Sequence, residues 1–216
     1  MSKKPIITLL LAAMLAITSL PAEAAVVKLT SPAEFISPTT TIDFDDAPHR
    51  TVANTRYLAQ GVEFSRDDGF DILLSDWQSK GRVTTSPPNV LATVKTSPTS
   101  PPWVMHLNAT FSSPTFELGA FFGNDQGYGY TATTLSIFGL HGVLFGSVAV
   151  RTNDNTSVDQ FIGLRSDVPF YSARFENNGD WLCIILDDVA FTVPEPATLL
   201  LLGLGGLALL RKRTSY

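Results

Sequence analysis

The chain has 216 residues, of which 44% are hydrophobic, 10% aromatic and only 16% charged, with a single cysteine and a formal net charge of -5. That apolar and aromatic content excludes a disordered chain, one cysteine excludes an internal disulfide framework or a multi-cysteine metal site, and the acidic balance argues against nucleic acid as a partner. The length suits one domain, or two at most.

Taken in chain order, residues 1–24 have the layout of a secretory signal peptide. Lys3 and Lys4 form a positive start, Ile6 to Ile17 an apolar stretch interrupted only by Thr8, and Ala22-Glu23-Ala24 a small-residue cleavage site. The apolar stretch is shorter than the ~20 residues a spanning helix needs. Cleavage by signal peptidase after Ala24 is therefore expected, and with it export.

Residues 25–192 hold ten Lys/Arg against eighteen Asp/Glu, a formal charge of -8. Short runs rich in Val, Ile, Phe, Tyr and Thr alternate with Gly, Asn, Asp and Pro, and no helical periodicity of any length appears. Strands are expected at Thr41–Asp45, Val62–Ser65, Asp71–Leu74, Val104–Phe111, Phe116–Phe122, Thr133–Phe138, Leu144–Arg151, Asp159–Leu164, Tyr171–Glu176 and Leu182–Thr192. Their number and spacing predict an all-β sandwich of a single domain. The last strand is apolar at both parities as far as Leu186, so it is expected to be central and buried on both faces, with Cys183 as a core filler. Ser86 to Pro102 holds five of the fourteen prolines and is read as one long loop rather than a domain linker.

The C-terminal residues 193–216 mirror the start. Val193-Pro194-Glu195-Pro196 precedes fourteen uncharged residues, Ala197 to Leu210, and then Arg211-Lys212-Arg213. As a helix this stretch spans roughly 21 Å, a marginal membrane crossing whose basic end stays cytoplasmic. The glycines of Gly203-Leu204-Gly205-Gly206 follow no strand, so they are not a dinucleotide fingerprint.

A Pro-Glu-Pro element, a short apolar helix and a basic stop in this order resemble a PEP-CTERM sorting signal. The resemblance makes Pro194, Glu195 and Pro196 the recognition element. It implies processing by an exosortase, a membrane enzyme of Gram-negative bacteria that make exopolysaccharide. The expected route is an inner-membrane-tethered precursor, then release to the cell envelope or the extracellular space.

A second resemblance lies between the two signals. Ile42-Asp43-Phe44-Asp45, Tyr57 to Phe64, Ser86-Pro87-Pro88-Asn89-Val90-Leu91, Phe161-Ile162-Gly163-Leu164 and Asp187-Asp188-Val189-Ala190-Phe191 are similar in order to exported bacterial jelly-roll domains. The implied fold is a lectin-like jelly-roll sandwich, with no implied enzymatic activity.

Chemistry-bearing residues support the same direction. His49, His106 and His141 stand in separate segments without metal-ligand spacing, and no Gly-x-Ser-x-Gly elbow exists, so no catalytic residues are expected. Asp43 and Asp45 lie on or after the first core strand, and Asp187 and Asp188 interrupt an apolar last strand. A buried carboxylate wants a cation or hydrogen-bond donors. If first and last strands are neighbours, Asp43 or Asp45 with Asp187 or Asp188 would offer the oxygen ligands of a structural calcium site. The alternative has these aspartates ending strands, capping turns and pairing with arginines such as Arg174. For sugar stacking the candidates are Tyr128, Tyr130 and Trp77, the last also suited to capping the core. The function expected is a structural or adhesive role with exopolysaccharide or biofilm matrix; the alternative is a calcium-dependent carbohydrate-binding module.

Overall fold

The computed structural model describes residues 24–93, 106–123, 132–153, 155–177 and 183–192. Among these residues ten strands carry the fold: β1 (Val26–Leu29), β2 (Thr39–Ile42), β3 (Val62–Ser65), β4 (Leu73–Asp76), β5 (Asn89–Ala92), β6 (His106–Gly123), β7 (Ala132–Phe138), β8 (Leu144–Arg151), β9 (Val158–Asn177) and β10 (Ile185–Thr192). All pairings are antiparallel. Among the described residues no helix is long and apolar enough to cross a membrane. The expected signal peptide and the Pro194-Glu195-Pro196 tail lie outside the described residues.

Two long strands build both layers. The first half of β6, His106–Thr110, pairs with Ser172–Glu176 of β9, while Glu117–Phe122 pairs with Gln160–Arg165. The register breaks between these halves, and Pro114 and Pro169 sit at the break, where a missing N–H costs no ladder bond. One layer runs β4-β5-β10-β6-β9-β1, with β2 also on β10; the other runs β3-β6-β9-β7-β8. Four strands expected separately, Val104–Phe111, Phe116–Phe122, Asp159–Leu164 and Tyr171–Glu176, are thus two strands bent at turn-like residues. The structure adds β1, and places β5 inside the stretch expected to be loop.

The layers close on one core. Leu107, Phe111, Leu135, Ile137 and Phe175 from one meet Leu118, Phe122, Ile162, Leu186 and Phe191 from the other. The all-β sandwich expected from the pattern, of the jelly-roll type that the resemblance implied, is what forms. A smaller cluster lies on the far side of the first layer, where Trp77 covers Val90, Ala92, Val158, Cys183 and Ile185. Ile184 and Leu186 therefore face the main core and Cys183 and Ile185 the smaller one, so β10 is buried on both faces as its composition requires. Burial pushes the Cys183 thiol up to about 11. Its expected behaviour is inertness: a disulfide reagent at pH 8 should label it only after denaturation, and rapid labelling of the native protein would contradict this packing.

Candidate functional site

The aspartates converge at a break in the ladder. On one edge of β10, Ile185 and Leu186 pair with β5, while Val189 to Thr192 pair with β2. Asp187 and Asp188 fall between these partners, and on the other edge the register against β6 shifts between Asp187 and Ala190. Asp188 adopts a φ of 45° and Phe44, just beyond β2, a φ of 65°. Such positive angles are costly for residues with side chains and hold only where packing imposes them. Phe44 is fully buried, with ring centroids 5.4 Å from Tyr57 and 6.0 Å from Phe64.

Asp187 is the most deeply placed of these acids, with 0% exposure. Its Oδ2 accepts from the Thr85 hydroxyl at 2.8 Å and the Ser86 N–H at 2.9 Å; its Oδ1 accepts from the Ser86 hydroxyl at 2.7 Å and the Asp188 N–H at 2.9 Å. The Ser86 hydroxyl also lies 3.2 Å from the Asp43 carbonyl, tying the exit of β2 to the same point. Burial pushes the Asp187 carboxyl up to about 6, against the pull of its hydrogen bonds. Ser86, at the start of the expected loop, and Thr85, just before it, are the partners that the sequence did not reveal.

Asp45 works at the same junction. Its Oδ1 accepts the Asn89 N–H at 2.8 Å and so caps the start of β5. Asp43 Oδ1 accepts the Asp45 N–H at 3.1 Å. Burial raises the Asp45 carboxyl above the ordinary range; the Asn89 N–H opposes this, and the charges of Asp43, Asp188 and Asp46 add to it. Asp46 differs. Burial disfavours its charge, but Arg56 and the Tyr57 hydroxyl, 2.9 Å away, outweigh that and hold it below the usual carboxylate range. β2, at the place of the first strand expected from the sequence, is thus a neighbour of β10, the last, and Asp43, Asp45, Asp187 and Asp188 come together at their junction. Among the described residues, however, no three His, Cys, Asp or Glu side chains stand at metal-binding spacing. Arg174 does not serve these aspartates; it pairs with Asp67 at 2.7 Å.

Trp77 is 1% exposed, with Lys80 Nζ 4.7 Å and the Arg82 guanidinium 4.6 Å from its ring centre. Its ring is taken up by the small core and two cations, so it offers no free face for a sugar; core capping is its place. Tyr128 and Tyr130 lie outside the described residues.

A second polar surface, not anticipated as a site, lies on the outer face of the β3-β6-β9-β7 layer. Ser65, Asn108, Arg174 and Ser136 form one row across the strands, and Thr110, Ser172 and Phe138 the next. Ser65, Asn108, Thr110, Phe138, Ser172 and Arg174 line a groove of about 400 Å³. Within it Arg174 Nε donates to Asn108 Oδ1 at 3.0 Å, and Asn108 Nδ2 to Asp67 Oδ1 at 2.7 Å, closing a network with the ion pair. The period-two alternation in His106–Phe111 and Phe170–Asn177 carried the signal for an outward polar face. Which strands would lie side by side was not in it.

Comparison with solved structures gives distant likenesses. The K2 cleaved adhesin domain of Lys-gingipain is 14% identical over 72% of this chain and 100% of that one, with a TM-score of 0.48. A DUF4465 family protein from Bacteroides caccae is 10% identical over 77% and 99%, with a TM-score of 0.38. TmCBM61 in complex with β-1,4-galactotriose is 11% identical over 67% and 99%, with a TM-score of 0.32. No curated protein matches in sequence. The PEP-CTERM protein-sorting motif matches residues 192–213, beginning at the last residue of β10. The chain thus carries a PEP-CTERM protein-sorting motif joined directly to an all-β sandwich, which makes it an exosortase-targeted exported protein.

Proposed function

We propose that the processed protein is a non-catalytic structural or adhesive component of the cell envelope or extracellular matrix, acting on exopolysaccharide. The observation that carries this reading is the sorting motif fused to the end of β10. The outer-face groove supports it chemically. Hydroxyls, an amide and a guanidinium stand beside the half-buried ring of Phe138, a combination suited to the hydroxyls and apolar faces of a sugar chain. The Arg174–Asp67 pair leaves the groove near neutrality, which favours a neutral polymer.

Two experiments test the reading. Deleting Pro194 to Pro196 should leave the precursor unprocessed and absent from the matrix fraction; unchanged processing and location would overturn the sorting route. The processed protein should be retained by exopolysaccharide from the producing cells, and Arg174→Ala or Phe138→Ala should weaken retention at least tenfold with an unchanged fold. Retention unaffected by both would remove the groove from the proposal.

A second reading, a calcium-dependent carbohydrate-binding module, is supported by the gathering of aspartates at the β10 break. It separates from the first through chelator, which abolishes glycan retention only under the second.

A further inference from the structure

The acceptors around Asn89 have more lone pairs than donors to fill them. Asn89 opens β5 opposite Asp76 of β4, and is 3% exposed. Its N–H is spent on Asp45 Oδ1 and its Nδ2 on the Ala47 carbonyl at 3.0 Å, but its Oδ1 is buried with no hydrogen-bond partner. An orphaned buried acceptor of this kind is rare and calls for a ligand, an ion or a water. Asn89 lines a pocket of about 410 Å³ with Asp45, Asp46, His49 and Asp76.

The unspent atoms here are acceptors. Asp45 uses Oδ1 on Asn89, and Asp76 uses Oδ1 on the Ser79 N–H at 2.8 Å, which leaves an Oδ2 on each. Asp46 is committed to Arg56 and Tyr57. His49 Nδ1 accepts the Asp76 N–H at 2.9 Å, so its neutral ring carries its proton on Nε2 and is no metal ligand. A water could satisfy two of the three free oxygens with its two protons. Because all three residues line one pocket, a hard cation held there would take their free oxygens as ligands and offset the negative charge as well.

We propose that Asp45, Asp76 and Asn89 form a divalent-cation site, with Ca²⁺ as its natural occupant in an extracellular setting. The set keeps Asp45 from the aspartates read in the sequence, replaces Asp187 with two residues that were not singled out, and does not depend on the adhesive role. Two carboxylates, one amide oxygen and water ligands make a weak site, in the ~10⁻⁴ to 10⁻³ M range of extracellular modules.

Thermal unfolding of the processed protein tests it, with CaCl₂ from 0 to 5 mM against chelator at matched ionic strength. Wild type should gain about 2–9 °C across that range by mass action. Asp45→Asn and Asp76→Asn keep the Oδ1 that caps Asn89 or Ser79, so both should fold. In chelator Asp45→Asn should melt no lower than wild type, since a crowded charge is gone, and both variants should lose the calcium response. Asp187→Asn should melt lower yet keep the response. No calcium-dependent gain in wild type overturns the site, as does a full gain in both Asp45→Asn and Asp76→Asn. A response lost only in Asp187→Asn moves the ion to the β10 break and overturns the assignment.

Discussion

Asp187→Ala should destabilise the sandwich by about 3 kcal/mol at pH 5, with a loss that narrows as pH rises to 8. Each carboxylate oxygen of Asp187 receives one fixed backbone N–H, from Ser86 on Oδ2 and from Asp188 on Oδ1. Alanine leaves both donors buried without an acceptor, at about 1–3 kcal/mol each. The two hydroxyls that also bond Asp187 can rotate, and Ser86 has the Asp43 carbonyl within reach. Asp187→Asn is no rescue. Whichever way the amide turns, its NH₂ meets one of the two fixed N–H groups.

The pH dependence follows from the same carboxyl. It titrates near 6 in the folded chain against 3.8 in the unfolded one, so between these values the folded state holds more protons. Stability from this group therefore rises as pH falls through 6 toward 4, by roughly 3 kcal/mol in all. Wild type loses that increment at pH 8, and the alanine variant never had it, which is why the difference shrinks. Below pH 4 the trend reverses. Asp46 and Asp68, held low by Arg56 and Arg66, then take up protons and lose their partners. Urea denaturation at pH 5 and pH 8 measures both quantities. A wild-type-minus-variant difference independent of pH would show that Asp187 does not titrate in this window.

Glu117→Ala should cost about 3 kcal/mol and loosen a different corner. Glu117 is 1% exposed at the bend of β6. Its Oε1 accepts from Arg165 Nε at 2.6 Å and the Ile36 N–H at 3.1 Å, and its Oε2 from the Ser37 N–H at 3.2 Å. One carboxylate thus joins β6, β9 and the segment leading into β2. Arg165 also donates to the Glu34 carbonyl, which extends the tie to the turn at Pro32–Glu34. Breaking a buried pair by removing one partner costs about 3–5 kcal/mol; the lower figure applies because the Arg165 side chain is 25% exposed and can turn to water. Hydrogen exchange supplies the local readout. Amides at residues 36 and 37 should exchange faster in the variant, while those of β7 and β8 follow global stability. Unchanged protection at 36 and 37 would refute the tie. The neighbouring Thr192 hydroxyl accepts the Phe116 and Glu117 N–H groups at 3.1 and 3.0 Å, so this corner also anchors the residue where the sorting motif begins.

What could be read in the sequence is what side-chain order alone encodes. Val62–Ser65 and Leu144–Arg151 form strands at the bounds expected from their composition and flanking turns. The double-sided burial of β10 was legible because both parities of Cys183 to Leu186 are apolar, and no other surface accommodates that pattern. The Pro-Glu-Pro element, the apolar stretch and the basic end were legible because a processing enzyme reads them as linear sequence. The bends in β6 and β9 were hidden, since Ser112, Ser113 and Pro114, like Asp167 and Pro169, carry turn composition and yet lie within continuous strands.

Tertiary structure alone decided which polar groups meet. Asp187 finds its donors about a hundred residues earlier in the chain, at Thr85 and Ser86, because β10 changes its edge partner from β5 to β2 at that residue. Arg174 could pair with any nearby acid, and Asp67 is the one that the register of β3, β6 and β9 brings across. Alternation along a strand states which side chains share a face, whereas the neighbours on that face depend on pairing, register and bulges between distant segments. The sequence therefore determined the class of fold and the route of export, and packing determined the sites.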